Sequence, residues 1–294
     1  IRCGINKYIN VILKKRSTIS EYKYVIRWDK NEFCNSIEKI KHPIIKTLLK
    51  YYKIDFPLEI TTFSDIPVST GLGSSSTLTV GLINALNALT GKQLTRGKIA
   101  DLASKVEIDF LGNEIGKQDH YAASYGKLNQ YFFYDDNTVE VKPIRYNKLI
   151  LEKINKSLFL IYLNQKRSAN RILKTIDFNK KNKIITAQKF QVDSFVKIFE
   201  KKISIKKFGK LLDEGWKLKK TLSKSISNSK IDNTYKLAKK LGCEGGKILG
   251  AGGGGFLLLY ASPSNIVKIK KKFKKYPIVD FKFEDSGTRI TYYD

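Results

Sequence analysis

Pro67-Val68-Ser69-Thr70-Gly71-Leu72-Gly73-Ser74-Ser75-Ser76 stands between two runs of different period. Before it, Leu58 to Phe63 reads as a strand. After it, Leu78, Leu82, Ile83, Leu86 and Leu89 recur at helical spacing from Ser74 onward, and Gly91 closes the run where a C-terminal cap belongs. A glycine turn that opens a helix suits an anion. Glycines let backbone N–H groups converge, the helix start adds partial positive charge, and three serine hydroxyls can donate to phosphate or ligate Mg2+. The plain alternative is a turn whose serines only cap the helix, and the loop by itself leaves both open. It is not a Walker A loop, which needs GxxxxGK[ST], nor a dinucleotide loop, which needs a third glycine at position 76.

Upstream, Ile5, Tyr8, Ile9, Val11, Ile12 and Leu13 suggest an opening strand, and Tyr22, Tyr24, Ile26 and Trp28 alternate with Lys23, Val25 and Arg27 as a second. Pro43 starts a short helix with Ile44, Ile45, Leu48, Leu49 and Tyr52 on one face. Downstream, Thr95 is placed to cap a helix that carries Ile99, Leu102, Ala103, Val106 and Phe110 on one face. Glu107 lies on the flank of that stripe, where its carboxylate could turn inward and would need a partner such as Mg2+; taken alone, it reads as a solvated helix glutamate. Gly116-Lys117-Gln118-Asp119-His120 sets an acid beside a glycine turn, and taken alone Asp119 reads as a cap or turn residue.

Strands follow near Leu128–Tyr134 and Val139–Ile144, then a linker around Asn147–Asn155 with a boundary near residue 150. The second part opens on a strand, Leu158 to Leu163, and continues with helices near 183–201, 205–224 and 229–241. It ends with a strand from Phe256 to Tyr260, a helix from Ser262-Pro263, and two strands joined by Asp285-Ser286-Gly287. This order predicts two α+β domains. Gly250-Ala251-Gly252-Gly253-Gly254-Gly255 matches GxGxxG, but a strand follows where the dinucleotide fold requires a helix. So many glycines at a strand end imply that something approaches the backbone closely, and they read as a loop lying against a ligand; a plain bulge or tight turn is the alternative.

The chain has 294 residues, 42 % hydrophobic and 12 % aromatic, which excludes disorder as its main state. With 55 Lys and Arg against 27 Asp and Glu, its formal charge of +28 points toward an anionic partner such as nucleic acid. Against that, 8 of the 55 are Arg, the side chain whose planar fork suits phosphate and base contacts. Lys268, Lys270, Lys271, Lys272, Lys274 and Lys275 enclose Ile266, Ile269 and Phe273 at helical spacing, the wet face of an amphipathic helix. Cys3, Cys34 and Cys243 make neither a disulfide framework nor a metal knuckle, so a cytoplasmic setting is expected. No apolar run reaches the ~18 residues of a membrane span. His42 and His120 build neither a Ser/His/Asp set nor a zinc quartet. There is no Met, even at position 1, so the natural chain is expected to begin upstream.

Taken in order, Pro67 with Gly71-Leu72-Gly73-Ser74-Ser75, the Glu107 helix, Gly116-Lys117-Gln118-Asp119 and Lys247 to Phe256 resemble the motifs of the GHMP kinases, the family of galactokinase, homoserine kinase and mevalonate kinase. Within that family, Gly116–Asp119 followed by Tyr121-Ala122-Ala123, and the glycine run ending at Phe256, look most similar to kinases of heptose 7-phosphate. The resemblance implies a two-domain α+β fold with the active site between an ATP-binding N-terminal domain, 1–150, and a C-terminal domain, 151–294. It implies ATP-dependent phosphorylation of a sugar hydroxyl, the anomeric one of D-glycero-D-manno-heptose 7-phosphate, toward a nucleotide-activated heptose. A fucose- or galactose-type sugar kinase is the alternative, and a basic nucleic-acid-binding protein is the reading from a different class.

By motif position, Pro67, Gly71, Leu72, Gly73, Ser74, Ser75 and Ser76 would hold the ATP phosphates, and Ser75 and Glu107 would share Mg2+. Asp119 would take the proton of the substrate hydroxyl. Lys117, Gln118, Arg167, Gly252, Gly253 and Gly254 would meet the substrate, Arg167 through its phosphate. The implied partners are ATP and a sugar phosphate, with neither nucleic acid nor membrane. Two departures stand out. The family's glycine-rich opening segment precedes a stretch like Ile5-Asn6-Lys7-Tyr8, which here stands almost at the start, and Asn164-Gln165-Lys166 replaces a usual Thr-Gly ahead of Arg167.

Overall fold

The computed structural model describes residues 1–68, 70–165, 172, 175, 176 and 178–294. It is an α+β protein whose contacts divide it into two compact units. One comprises Arg2–Val68, Gly73–Lys127 and Glu284–Asp294; the other comprises Ile1, Ser69–Leu72 and Leu128–Phe283. The units follow contacts and not chain order, and their main division falls at Lys127/Leu128, ahead of the expected residue 150.

The first unit contains β1 (Arg2–Ile5), β2 (Ile9–Lys15), β3 (Tyr24–Arg27), β4 (Asn31–Cys34), α1 (Pro43–Tyr51), β5 (Leu58–Ser64), α2 (Ser74–Leu89), α3 (Arg96–Lys105) and α4 (Gln118–Tyr125). The expected single opening strand is two, β1 and β2. A tight turn from Lys7 N–H to the Ile5 carbonyl (2.7 Å) breaks it, and Tyr8 N–H turns to Asp65. One sheet runs β2-β5-β3-β4, with β3 and β5 parallel and the other pairs antiparallel. The parallel pair requires a crossover, supplied by β4 and α1. Along β5, Leu58 and Ile60 are buried while Glu59 faces the other side, where Arg16 and Arg27 donate to it at 3.0 and 2.8 Å. Ile44, Ile45, Leu48 and Leu49 of α1 and Leu82, Ile83 and Leu86 of α2 close the core, each side chain contributing about 1.5–3 kcal/mol by burial.

The second unit contains β6 (Leu128–Phe133), β7 (Val139–Pro143), α5 (Lys148–Ser157), β8 (Leu158–Tyr162), α6 (Phe178–Phe199), α7 (Lys207–Lys220), α8 (Ser229–Lys240), β9 (Cys243–Ile248), β10 (Phe256–Ala261), α9 (Pro263–Lys272) and β11 (Ile278–Val279). Its antiparallel sheet runs β11-β8-β10-β9 over a core centred on Phe159, Trp216 and Leu257. The expected linker at Asn147–Asn155 is instead α5. Asn147 Oδ1 accepts the N–H groups of Leu149 and Ile150 at 3.1 and 3.3 Å, and Ile150 and Ile154 bury one face. β9 had no signal in the sequence because Gly245 and Gly246 weaken it as a strand; here a side chain at Gly245 would collide with the Gly209 carbonyl of α7, so glycine is what lets helix and strand approach. In α9, Ile266 and Ile269, with Phe273 just beyond, are buried and the lysines turn outward, as an amphipathic face requires.

The expected hairpin at Asp285–Gly287 does not form. In the first unit, Lys127 N–H donates to the Glu284 carbonyl and Thr288 N–H to the Ala123 carbonyl, both at 3.0 Å, so these backbone groups are taken by the end of α4 and no returning strand is paired. Among the described residues no helix is long and apolar enough to cross a membrane, and all three cysteines are free thiols.

Candidate active site

Gly73 begins α2 in the left-handed region (φ +72°), which sends the following three residues, Ser74, Ser75 and Ser76, into the helix with no side chain capping their N–H groups and no acid of the chain's own in the first turn. An anion is favoured there by the open amides and the helix dipole. A Cβ at Gly73 would stand 3.3 Å from Cβ and Cγ of Asp119. The half-buried Asp119, in the first turn of α4, therefore lies directly against the start of α2. Gln118 is exposed and Lys117 half-buried at the same helix start.

The helix expected to continue through Phe110 changes character at Val106. Residues Val106–Phe110 form a π turn, in which Leu111 N–H reaches back to the Val106 carbonyl at 3.1 Å. The wider turn shifts the face, so Phe110, expected on the apolar stripe, is 46 % exposed, and Glu107 is 1 % exposed. Ser75 Oγ donates to Glu107 Oε2 at 2.5 Å, Thr79 Oγ1 lies 3.0 Å from Oε1, and His120 Nε2 lies 3.0 Å from the same Oε1. Burial pushes the Glu107 carboxyl upward, but the hydrogen bonds from His120, Ser75 and Thr79 outweigh it and hold the group below the ordinary carboxylate range. A depressed folded pKa contributes stability at neutral pH that is lost as pH falls through the folded value. Acid melts should accordingly show a loss of stability below the usual carboxylate range that Glu107→Gln abolishes; an unchanged pH profile in that variant would contradict this.

Sequence alone did not reveal Thr79 or His120 as partners of Glu107. Thr79 could have been found as the residue one turn after Ser75 on the same face of α2. The Ser75–Glu107 pair suits a hard divalent cation by its chemistry, since it brings a hydroxyl and a carboxylate oxygen together on the side where Ser75 is exposed. Among the described residues His120 is the one basic group within ion-pair distance of Glu107, and no set of three or more His, Cys, Asp or Glu could enclose a metal. Ser75 and Glu107 are the residues that would hold a cation of this kind, whose other ligands would have to come from outside the protein.

In the second unit the two glycine-rich stretches meet. Phe256 N–H donates to the Thr70 carbonyl at 3.2 Å, Gly255 N–H to the Gln165 carbonyl at 3.0 Å, and Gly253 N–H to the Ile226 carbonyl at 2.8 Å. A Cβ would stand 2.8 Å from backbone atoms of Ile226 at Gly252 and 2.8 Å from the Gln165 carbonyl oxygen at Gly254. What approaches these glycines is the protein's own backbone, and Gly252 and Gly254 are buried. Gly71 and Leu72 belong to this unit, Pro67 to the first. Arg167 lies outside the described residues. Gly255 combines φ +84° with a Cβ direction blocked by the Thr70 carbonyl, so Gly255→Ala should cost roughly 1–2 kcal/mol for the left-handed backbone and about 1–3 kcal/mol for overpacking, read as a lower melting temperature.

Comparison with known proteins identifies the family of both domains. The GHMP kinases N terminal domain matches residues 37–127, and the GHMP kinases C terminal domain matches residues 196–278. A D-glycero-alpha-D-manno-heptose 7-phosphate kinase of Campylobacter jejuni is 33 % identical over 284 residues, covering 89 % of this chain and 82 % of the relative. Among solved structures, a D-glycero-D-manno-heptose 1-phosphate kinase from Bacteroides thetaiotaomicron shares the fold at TM-score 0.73 and 22 % identity, covering 96 % of this chain and 86 % of that one. Methanococcus jannaschii mevalonate kinase does so at TM-score 0.74 and 24 % identity, covering 95 % and 90 %. With both domains matched in chain order and a relative this similar over most of its length, the chain belongs to the GHMP kinases.

Proposed function

We propose that the protein is an ATP-dependent kinase of a sugar phosphate, transferring phosphate to the anomeric hydroxyl of D-glycero-D-manno-heptose 7-phosphate. The observation that carries the reading is the grouping of the open N-terminus of α2, the Ser75–Glu107 pair and Asp119 in one compact unit. The heptose follows from the similarity to the Campylobacter jejuni relative, because a fold shared with a mevalonate kinase leaves the acceptor open.

The α2 amides of Ser74–Ser76 hold and orient the phosphate groups. Bound Mg2+ supplies neutralisation of the charge on the transferring phosphoryl group. Ser75 Oγ and Glu107 Oε2 are the protein oxygens that would hold it. Asp119 accepts the proton of the attacking sugar hydroxyl at a carboxylate oxygen, and its place against Gly73 keeps that oxygen at the phosphate-binding helix start. Lys117 and Gln118, at the same helix start as Asp119, are proposed to face the sugar phosphate.

Assay of ADP release against a panel of heptose 7-phosphate, fucose, galactose and mevalonate tests the reading. Release that depends on heptose 7-phosphate, with a new anomeric phosphate in the 31P spectrum, is expected. Turnover of another panel member without the heptose would assign a different acceptor, and no turnover with salt-sensitive nucleic-acid binding would favour the basic-surface alternative.

A further inference from the structure

We propose that His120 is a positioning residue for Glu107: it anchors Oε1 inside the unit so that Oε2, beside Ser75, is the oxygen presented to a divalent cation. This rests on the reading that Ser75 and Glu107 hold Mg2+. The two carboxylate oxygens are not equivalent. Oε1 faces Thr79 and His120, both fully buried, whereas Oε2 has Ser75, which is exposed.

Thr79 is a divided donor. Its Oγ1 lies 3.0 Å from Glu107 Oε1 and also 3.0 Å from the Ser75 carbonyl oxygen, so its single proton cannot serve both fully. His120 Nε2 has no such competing acceptor among the described residues, which makes it the donor that fixes Oε1. Its other nitrogen, Nδ1, is buried without a partner. An apolar side chain of similar size would avoid burying that orphaned atom, so packing alone does not account for a histidine here. The position on α4 adds a coupling. Adjacent residues of one helix turn place Asp119 against Gly73 and His120 on Glu107, so a single rigid element orients both carboxylates.

Two amide substitutions separate donation from packing. The side-chain nitrogen of Gln can occupy the place of Nε2, whereas that of Asn occupies the place of the unused Nδ1. Mn2+ binding in the presence of a non-hydrolysable ATP analogue, read from the electron paramagnetic resonance signal of free Mn2+, is measured for wild type, His120→Gln, His120→Asn and Glu107→Gln, with melting temperatures to establish that each is folded. Outer partners of metal ligands typically change affinity ~10–100-fold. His120→Asn is expected to weaken Mn2+ binding by about that factor, while His120→Gln stays within roughly threefold of wild type. Equal affinities for folded His120→Gln and His120→Asn would overturn the proposal. Should His120→Asn fail to fold, a tenfold weakening in folded His120→Gln would overturn it and wild-type affinity in His120→Gln would support it. Wild-type binding by Glu107→Gln would instead sink the metal reading itself, and with it the role given to His120.

Discussion

Asp119→Asn is expected to lower turnover by about 10²–10⁴-fold, the usual contribution of a positioned general base, with little change in melting temperature. The substitution keeps the shape that fits against Gly73, where a Cβ would already stand 3.3 Å away, so packing at the start of α2 survives. What disappears is a carboxylate oxygen able to accept the hydroxyl proton. Nucleotide affinity should not fall, because removing a negative charge from the neighbourhood of an anion-binding helix start relieves repulsion. The pattern to look for is therefore a collapse in kcat with an unchanged or lower dissociation constant for ATP. Wild-type kcat in Asp119→Asn would remove Asp119 from the base role, and a parallel loss of nucleotide binding would mean the side chain holds the loop.

The parts of this fold that were legible in the sequence are those whose information is local. Helix α2 announced both its ends, through Gly73 and the apolar residues from Leu78 to Leu89, and the structure spans Ser74–Leu89. The Thr95 cap was readable for the same reason, and its hydroxyl accepts the Lys98 N–H. Glu107 stood on the flank of an apolar stripe and by itself read as a solvated glutamate, whereas the structure buries it. Ser75 was paired with it by the family resemblance alone, and Thr79 and His120 were not readable, because they reach it from two other helices, 28 and 13 residues away in sequence. The π turn leaves no periodic mark either, since widening one turn alters the phase only of the residues after it, which is why Phe110 was misplaced. Helix α5 was hidden by a polar surface that made Asn147–Asn155 resemble a linker, although Asn147 followed by Ile150 and Ile154 is a cap and a buried i, i+4 pair. The glycines at 252–255 pointed to a close approach and were assigned to a ligand, whereas in the structure the chain's own backbone lies against them. The identity of the approaching group was a tertiary fact: the backbones at Thr70, Gln165 and Ile226.

Glu107 is the position where stability and activity should separate most widely, and two substitutions distinguish them. Glu107→Gln keeps an oxygen able to accept from His120 and Thr79, and its amide can face Ser75 Oγ, which reverses to accept. The loss of charge-assisted hydrogen bonds should cost about 1.5–3 kcal/mol. Glu107→Leu leaves the Thr79 hydroxyl and the His120 Nε2–H buried beside a hydrocarbon, each orphaned group costing roughly 1–3 kcal/mol, so its melting temperature should fall below that of Glu107→Gln. Activity should not follow this order. Neither variant presents an anionic oxygen beside Ser75, so both should lose about 10²-fold or more in kcat/KM, the scale of removing a group that stabilises transition-state charge. Melting curves and turnover measured on the same preparations decide the matter. A graded activity that tracks melting temperature would mean that Glu107 acts only by holding α2, α4 and the π turn together. Equal inactivity in a stable and a weakened variant is what a charge-bearing site requires.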